Sequence, residues 1–179
     1  MSRPLLPVIA GATASGKTAV AVELALRARG EVVSADSMQV YRDMDILTAM
    51  PTAAEMRGVA HHMLGVFSPR EKCSAASYRE RALGCIDAIR ARGHLPIVCG
   101  GTGLYVNALT RPLGFAAQGD EAIRAELTAI AEAPEGKARL HAMLGAVDPD
   151  SAARLHPNDV RRVVRALEIY RLTGRTQTE

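Results

Sequence analysis

The 179-residue sequence predicts an α/β fold, a parallel sheet with helices on both faces followed by a helical segment. Three observations carry that prediction. Apolar, strand-like runs alternate with helix-like segments through the first half of the chain. A glycine-rich loop stands between the first of those strands and the first of those helices. Past residue 115 the strand-like runs stop and helical periodicity alone continues, so residues 1–115 read as the α/β core and 116–179 as a helical segment.

The elements follow in order. Leu5–Ala10 reads as a strand, and Gly11-Ala12-Thr13-Ala14-Ser15-Gly16-Lys17-Thr18 spells G-x-x-x-x-G-K-T directly after it. Glycines let such a backbone curl until successive N–H groups point inward at a polyphosphate. Lys17 then reaches the terminal phosphates, and the Thr18 hydroxyl can ligate Mg²⁺. The segment Gly11–Thr18 is therefore the candidate diphosphate- or nucleotide-binding loop, and the core is expected to be P-loop NTPase-like. Lys17 is one of three lysines, with Lys72 and Lys137, so the match does not come from a lysine-rich background. Ala19–Arg29 reads as a helix whose positive dipole end faces the anion. Glu31–Ala35 reads as the second strand. Ala75–Arg92 reads as a helix with Ala82, Leu83, Ile86 and Ile89 on one stripe, and Leu95–Cys99 as a buried strand.

Around Arg111-Pro112-Leu113-Gly114 the character changes. Glu121–Ala131, Gly136–Leu144 and Asp150–Leu155 read as short helices with no strand between them. Asn158 is expected to cap a longer helix that Gly174 ends. On that helix Val160, Val163, Val164, Leu167 and Tyr170 form one apolar stripe. Arg161, Arg162 and Arg165 lie within about 100° of one another on the opposite side, facing away from the core.

Composition narrows the function classes. The chain is 48% hydrophobic and 23% charged, ordinary for a globular protein. No apolar run approaches the ~20 residues that span a bilayer. The N-terminal Met1-Ser2-Arg3-Pro4 runs straight into the strand before the loop, and a cleavable signal peptide would destroy that site, so a cytoplasmic protein is expected. Cys73, Cys85 and Cys99 are odd in number and widely spaced, which argues against a disulfide framework and a zinc site and for reduced, partly buried thiols. The net charge of +3 resides in residues 151–179, where Arg154, Arg161, Arg162, Arg165, Arg171 and Arg175 face Asp159, Glu168 and Glu179. A basic end on a neutral body fits a polyanion contact or a solvated helix face, and composition does not choose between them.

In parallel sheets function collects at the carboxyl ends of the strands. Three segments stand there: the phosphate loop, Asp36-Ser37, and Gly100-Gly101-Thr102-Gly103. Asp36 can order Mg²⁺ through water or accept a proton from a nucleophile approaching a bound phosphate substrate; it also reads as a turn-forming aspartate. The glycines before and after Thr102 let backbone approach a ligand closely, with Thr102 as a hydroxyl donor. His61 and His62 are adjacent, so their side chains diverge and cannot both ligate one ion; one is expected to be a buried, hydrogen-bonded imidazole. With four Tyr, two Phe and no Trp, a stacking platform for single strands is disfavoured, and nucleic-acid contact should rest on arginine.

Several stretches together resemble the tRNA dimethylallyltransferases, also called tRNA isopentenyltransferases. The similarity runs from the loop through Asp36-Ser37-Met38-Gln39-Val40-Tyr41, His61-His62, Ser74-Ala75-Ala76 and Gly100-Gly101-Thr102-Gly103-Leu104-Tyr105. It continues with His156-Pro157-Asn158-Asp159, Arg162, and Arg165-Ala166-Leu167-Glu168 to Thr173-Gly174. The loop alone is shared with many kinases; the combination is far more specific. The resemblance implies transfer of a dimethylallyl group from dimethylallyl diphosphate to the exocyclic amine of the adenine 3′ of the anticodon. Carried over by motif, Gly11, Ala12, Thr13, Ala14, Ser15, Gly16, Lys17 and Thr18 hold the diphosphate, with Mg²⁺ at Thr18. Asp36 is implied as base, with Lys17 and Thr102 as the other catalytic residues. The implied tRNA contacts are Asp36, Ser37, Met38, Gln39, Thr102, Arg124, Arg161, Arg162, Val163, Val164 and Arg165. The partners are tRNA and dimethylallyl diphosphate, for a monomer without membrane contact.

The sequence departs from the family pattern in places. Leu47-Thr48-Ala49-Met50-Pro51-Thr52 stands where G-T-A-K-P-T is usual, Gly65 where aspartate is usual, Arg161 where glutamine is common, and Ala12 where proline is usual. The sequence ends at Glu179, short of the family's usual C-terminus, which supplies a further core strand and basic residues around the reaction tunnel. Two other readings share the loop: a small-molecule or nucleoside kinase, which needs a lid carrying arginines, and a shortened paralogue that binds diphosphate or tRNA without turnover.

Overall fold

Among the described residues, four short strands and four helices come first, in the order β1 (Val8–Ala10), α1 (Lys17–Ala28), β2 (Gly30–Ser34), α2 (Ala53–Met56), β3 (His61–His62), α3 (Ala75–Ala91), β4 (Leu95–Gly100) and α4 (Gly103–Thr110). Four helices follow: α5 (Glu121–Glu132), α6 (Gly136–Val147), α7 (Pro149–Arg154) and α8 (Val160–Thr173). The structure is a computed structural model that describes residues 5–111 and 119–178. Contacts divide the chain into two units, Met1–Leu113 and Gly114–Glu179. That division and the expected boundary after residue 115 both fall in 112–118, outside the described residues, as does Met1–Pro4.

The sheet is parallel throughout, in the order β1-β4-β2-β3. Its central strands are apolar on both faces because helices cover both. Val33 and Val98 pack with Tyr78, Ala82, Ile86 and Ile89 of α3. The alternate residues Val32, Ile97 and Cys99 pack with Ala21, Val22 and Ala25 of α1. The α/β expectation and the three expected strands are present, with differences at the ends. β1 begins at Val8 rather than Leu5, because Pro7 has no N–H to give the ladder, although its carbonyl accepts from the Val98 N–H at 2.9 Å. α2, β3 and α4 come in addition to the expected elements.

In the second unit Leu127 and Ala131 of α5, Leu140 and Leu144 of α6, and Val163, Val164, Ala166 and Leu167 of α8 close a separate core. Gly174 ends α8 in the left-handed conformation, as expected. The expected N-cap is corrected: Asp159, not Asn158, precedes the first helical residue, and its side chain makes no capping bond. The Asp159 carboxylate instead accepts from Arg162 Nη1, with Oδ2 at 3.0 Å. The three cysteines are free thiols, Cys99 buried and Cys73 and Cys85 partly so. Among the described residues no helix is long and apolar enough to cross a membrane.

Candidate active site

α1 starts at Lys17, two residues earlier than the sequence pattern indicates, because Gly16 takes the N-cap position in the left-handed region (φ 78°). Ala14, at φ 62°, also sits there. Two left-handed residues curl the chain back on itself, a conformation that glycine adopts without penalty. Lys17 and Thr18 thus stand in the first turn of the helix, where backbone N–H groups lack intrahelical partners. That first turn carries no acidic residue to compete with an anion. The Lys17 ammonium folds back across the loop, donating to the Ala12 carbonyl, with Ser15 Oγ at 3.5 Å.

The chain segments leaving β1, β2 and β4 meet through their backbones. The Ala35 N–H donates to the Cys99 carbonyl at 2.8 Å, and the Thr102 N–H to the Ala35 carbonyl at 3.1 Å. Gly100 is required there: a Cβ would lie 2.3 Å from the Ala35 oxygen. A Cβ on Gly101 would lie 3.1 Å from the Gly11 oxygen, so the third segment also borders the phosphate loop. The three stretches singled out from sequence therefore share one edge of the sheet.

Asp36 is partly buried at that edge. Its Oδ1 accepts from the Met38 N–H at 2.9 Å and, more weakly, from the Gln39 N–H at 3.4 Å. The turn-forming reading is thus realised, yet it occupies one oxygen; Oδ2 accepts no hydrogen bond from the described residues. The Thr102 hydroxyl accepts from the Ser37 N–H at 2.9 Å and donates to Ser37 Oγ at 3.2 Å. Met38 is exposed beside this turn. The Gln39 side chain is held inward: its amide donates to the Thr48 and Ala49 carbonyls at 3.3 and 3.1 Å, and its Oε1 accepts from Ser34 Oγ at 3.1 Å. It ties Thr48-Ala49, flanked by the family departures Leu47 and Met50, to the end of β2.

The histidine pair divides as its adjacency requires. His61 Nδ1 bonds the Val59 carbonyl at 2.9 Å, and burial lowers its pKa. His62 Nε2 meets Glu31 at 2.6 Å on the other side of the sheet. Glu31, a buried carboxylate that the sequence reading passed over, also takes both arms of Arg92 at 2.8 and 3.1 Å and His94 at 2.7 Å. The Arg92 guanidinium above all holds its pKa down at about 2. This cluster lies at the start of β2, at the opposite end of the strand from Asp36, and secures the sheet rather than the site.

The family model described as IPP transferase matches residues 39–179 of the chain. The chain belongs to the IPP transferase family. It is 53% identical over 173 residues to a tRNA dimethylallyltransferase of Sorangium cellulosum, covering 97% of this chain and 55% of that protein. It is 52% identical over 170 residues to one of Geobacter metallireducens, covering 95% and 55%. A crystal structure of full-length tRNA isopentenylpyrophosphate transferase from Bacillus halodurans superposes with a TM-score of 0.64 at 48% identity, covering 96% of this chain and 57% of that one. A eukaryotic dimethylallyltransferase solved acting on tRNA gives 0.82 at 33% identity, covering 99% and 44%. The chain spans about half the length of the curated relatives it matches.

In this member of the IPP transferase family the arginine face of α8 differs from the sequence expectation. Arg161 and Arg162 are exposed, as expected. Val163 and Val164, implied as tRNA contacts, have side chains at 0% and 4% exposure in the core of the second unit. Arg165 does not simply face solvent, since it pairs with Glu168 at 2.7 Å. Arg124 of α5 reaches the same carboxylate at 2.9 Å. Glu168 was read as one acidic residue of a basic helix. Helical periodicity puts Glu168 beside Arg161 and Arg165, so nothing in the sequence pattern marked it as buried.

Proposed function

We propose that the protein to which this chain belongs transfers a dimethylallyl group from dimethylallyl diphosphate to the exocyclic amine of the adenine 3′ of the anticodon in tRNA. The observation that carries this reading is the shared sheet edge of the phosphate loop, Asp36 and Thr102, in a chain of this family. Among the described residues the anion site stands beside a carboxylate, Asp36, whereas the kinase reading needs a lid carrying arginines.

The step balances simply. The allylic C1–O bond to diphosphate breaks, the N6–C1 bond forms, and the amine proton passes to Asp36 Oδ2. The leaving diphosphate gains charge, and the loop N–H groups of Gly11–Thr18, the α1 dipole and Lys17 stabilise it. Thr102, through Ser37, fixes the turn that carries Asp36 and so the height of the carboxylate above the sheet.

Mg²⁺ fits the donor set as an ion shared with substrate. Thr18 offers one hydroxyl oxygen, and among the described residues no group of three or more His, Cys, Asp or Glu is arranged to cage a metal. Magnesium commonly takes few protein ligands and completes its shell with phosphate oxygens and water. When bound, it neutralises charge on the diphosphate. Exposed Met38 on the first unit and, separately, Arg124, Arg161, Arg162 and Arg165 on the second are the side chains offered to tRNA, in a cytoplasmic, monomeric protein.

The test is an isotope assay with labelled dimethylallyl diphosphate, unmodified tRNA and Mg²⁺, run beside ATP with a nucleoside panel. Label in tRNA is expected. Phosphoryl transfer would establish the kinase instead, and binding of diphosphate or tRNA without transfer would establish a non-catalytic binding module.

A further inference from the structure

Glu168 is fully buried, yet its carboxylate serves two arginines that reach the surface. Oε1 accepts from the Asp120 N–H at 2.9 Å and from Arg124 Nη2 at 2.9 Å, while Oε2 accepts from Arg165 at 2.7 Å and again from Arg124 at 3.2 Å. Burial pushes the carboxyl pKa up, but the Arg165 and Arg124 hydrogen bonds outweigh it and hold the group below the usual carboxylate range. The approach is tight: a Cβ at Gly119 would lie 2.2 Å from Arg124 Nη2 and 2.8 Å from Glu168 Oε1, so the arginine would have to shift to admit it.

Stability alone does not account for this arrangement. A buried ion pair is often no more stabilising than apolar side chains of the same volume. The one backbone donor, Asp120 N–H, needs only a neutral acceptor. What the carboxylate adds is geometry. Arg124 stays half exposed (50%) with one nitrogen committed to Glu168, and its Nε and Nη1 make no hydrogen bond among the described residues. Arg165, at 36% exposure, stands one helical turn after exposed Arg161 on α8. Two guanidiniums share one buried carboxylate, so much of their rotamer freedom is already lost before any ligand arrives.

We propose that Glu168 is a positioning residue for RNA: its carboxylate holds Arg124 and Arg165 as a fixed guanidinium pair that takes one phosphate of the tRNA backbone. This rests on the tRNA reading above. Guanidinium forks suit phosphate because they donate parallel N–H bonds in a rigid plane.

The test uses Glu168→Gln, which keeps shape and the acceptor for Asp120 N–H but removes the charge. Affinity for unmodified tRNA is measured beside thermal unfolding and binding of inorganic diphosphate. Charge alone predicts tighter RNA binding when a carboxylate leaves a basic face. Positioning predicts binding weaker by about tenfold, a loss that disappears in an Arg124→Ala background because the two residues act as one unit. Diphosphate binding stays unchanged. Gly119→Ala, with Glu168 intact, should weaken tRNA binding likewise by driving Arg124 off the carboxylate. If Glu168→Gln does not fold, Gly119→Ala and Arg124→Lys decide, the latter keeping charge while losing the fork. Unchanged or tighter tRNA binding in the folded variants overturns the positioning role. Wild-type protein that binds no tRNA overturns the tRNA reading, and the positioning role with it; wild-type protein that binds tRNA no better than an Arg124→Ala/Arg165→Ala variant overturns the positioning role alone.

Discussion

At the carboxyl edge of the sheet, the candidate anion site is built from backbone: Ala14 and Gly16 in the left-handed region, the first turn of α1, and a single ammonium folded over the loop. On α5 and α8 of the second unit, the candidate anion site is built from long side chains, steadied by a carboxylate buried beneath them. The first is rigid because its groups are main chain, with little freedom left once the strand and helix have formed. The second becomes rigid only when residues 44 positions apart, Arg124 and Glu168, are brought together by helix packing. Backbone sites therefore depend on few side chains, each irreplaceable; side-chain sites spread their effect over several residues and a hidden support.

The comparison breaks most visibly at Lys17, the one side-chain cation of the phosphate loop. Lys17→Ala should weaken diphosphate binding and nearly abolish transfer, since contacts to developing charge are often worth ~3 kcal/mol or more. Unaltered tRNA affinity in the same variant would show that the two sites work separately; wild-type turnover would remove the loop from the mechanism. Asp36→Asn preserves the turn to Met38 and Gln39 but not proton acceptance. The maximal rate should fall by ~10²–10⁴-fold with diphosphate affinity little changed, as single-turnover kinetics can measure. A large loss of affinity at an intact rate would make Asp36 a binding group.

Glu31 sharpens the contrast between a structural carboxylate and one placed under a binding face. Its folded pKa of about 2 lies below the ordinary 4.5, so its contribution is fully present above pH 4.5 and is lost as pH falls from there toward 2. Glu31→Gln should cost up to about 3 kcal/mol near neutrality and flatten the acid limb of the stability profile. Denaturant unfolding at pH 7 and pH 3 tests this, and equal losses at both would refute it. Gly100→Ala forces a methyl against main-chain atoms of Ala35 that cannot swing aside. A loss of about 1–3 kcal/mol is expected, read as a lower unfolding midpoint. The smallest effect belongs to Arg161, exposed and outside the Glu168 cluster. Arg161→Ala should change stability by under ~0.5 kcal/mol and lower the slope of log tRNA affinity against log salt by about one. An unmoved slope would make Arg161 a solvated residue.

What the amino-acid sequence determined by itself was whatever depends on neighbours along the chain. G-x-x-x-x-G-K-T after an apolar run specified strand, curl and helix, since its glycines and the dipole of the following helix act within a few residues. The alternation of strand-like and helix-like segments specified a parallel sheet covered on both faces. The stripe of Val160, Val163, Val164 and Leu167 specified which side of α8 is buried. Tertiary structure alone decided the rest. The order β1-β4-β2-β3 brings Gly11, Ala35 and Thr102 to one edge, although they are far apart in sequence. The pairing of Glu31 with Arg92, and of Glu168 with Arg124, arises only when separate elements pack. The physical reason is range: backbone conformation and periodicity are set by local sterics, whereas a buried charge finds its partner only after the chain has folded around it.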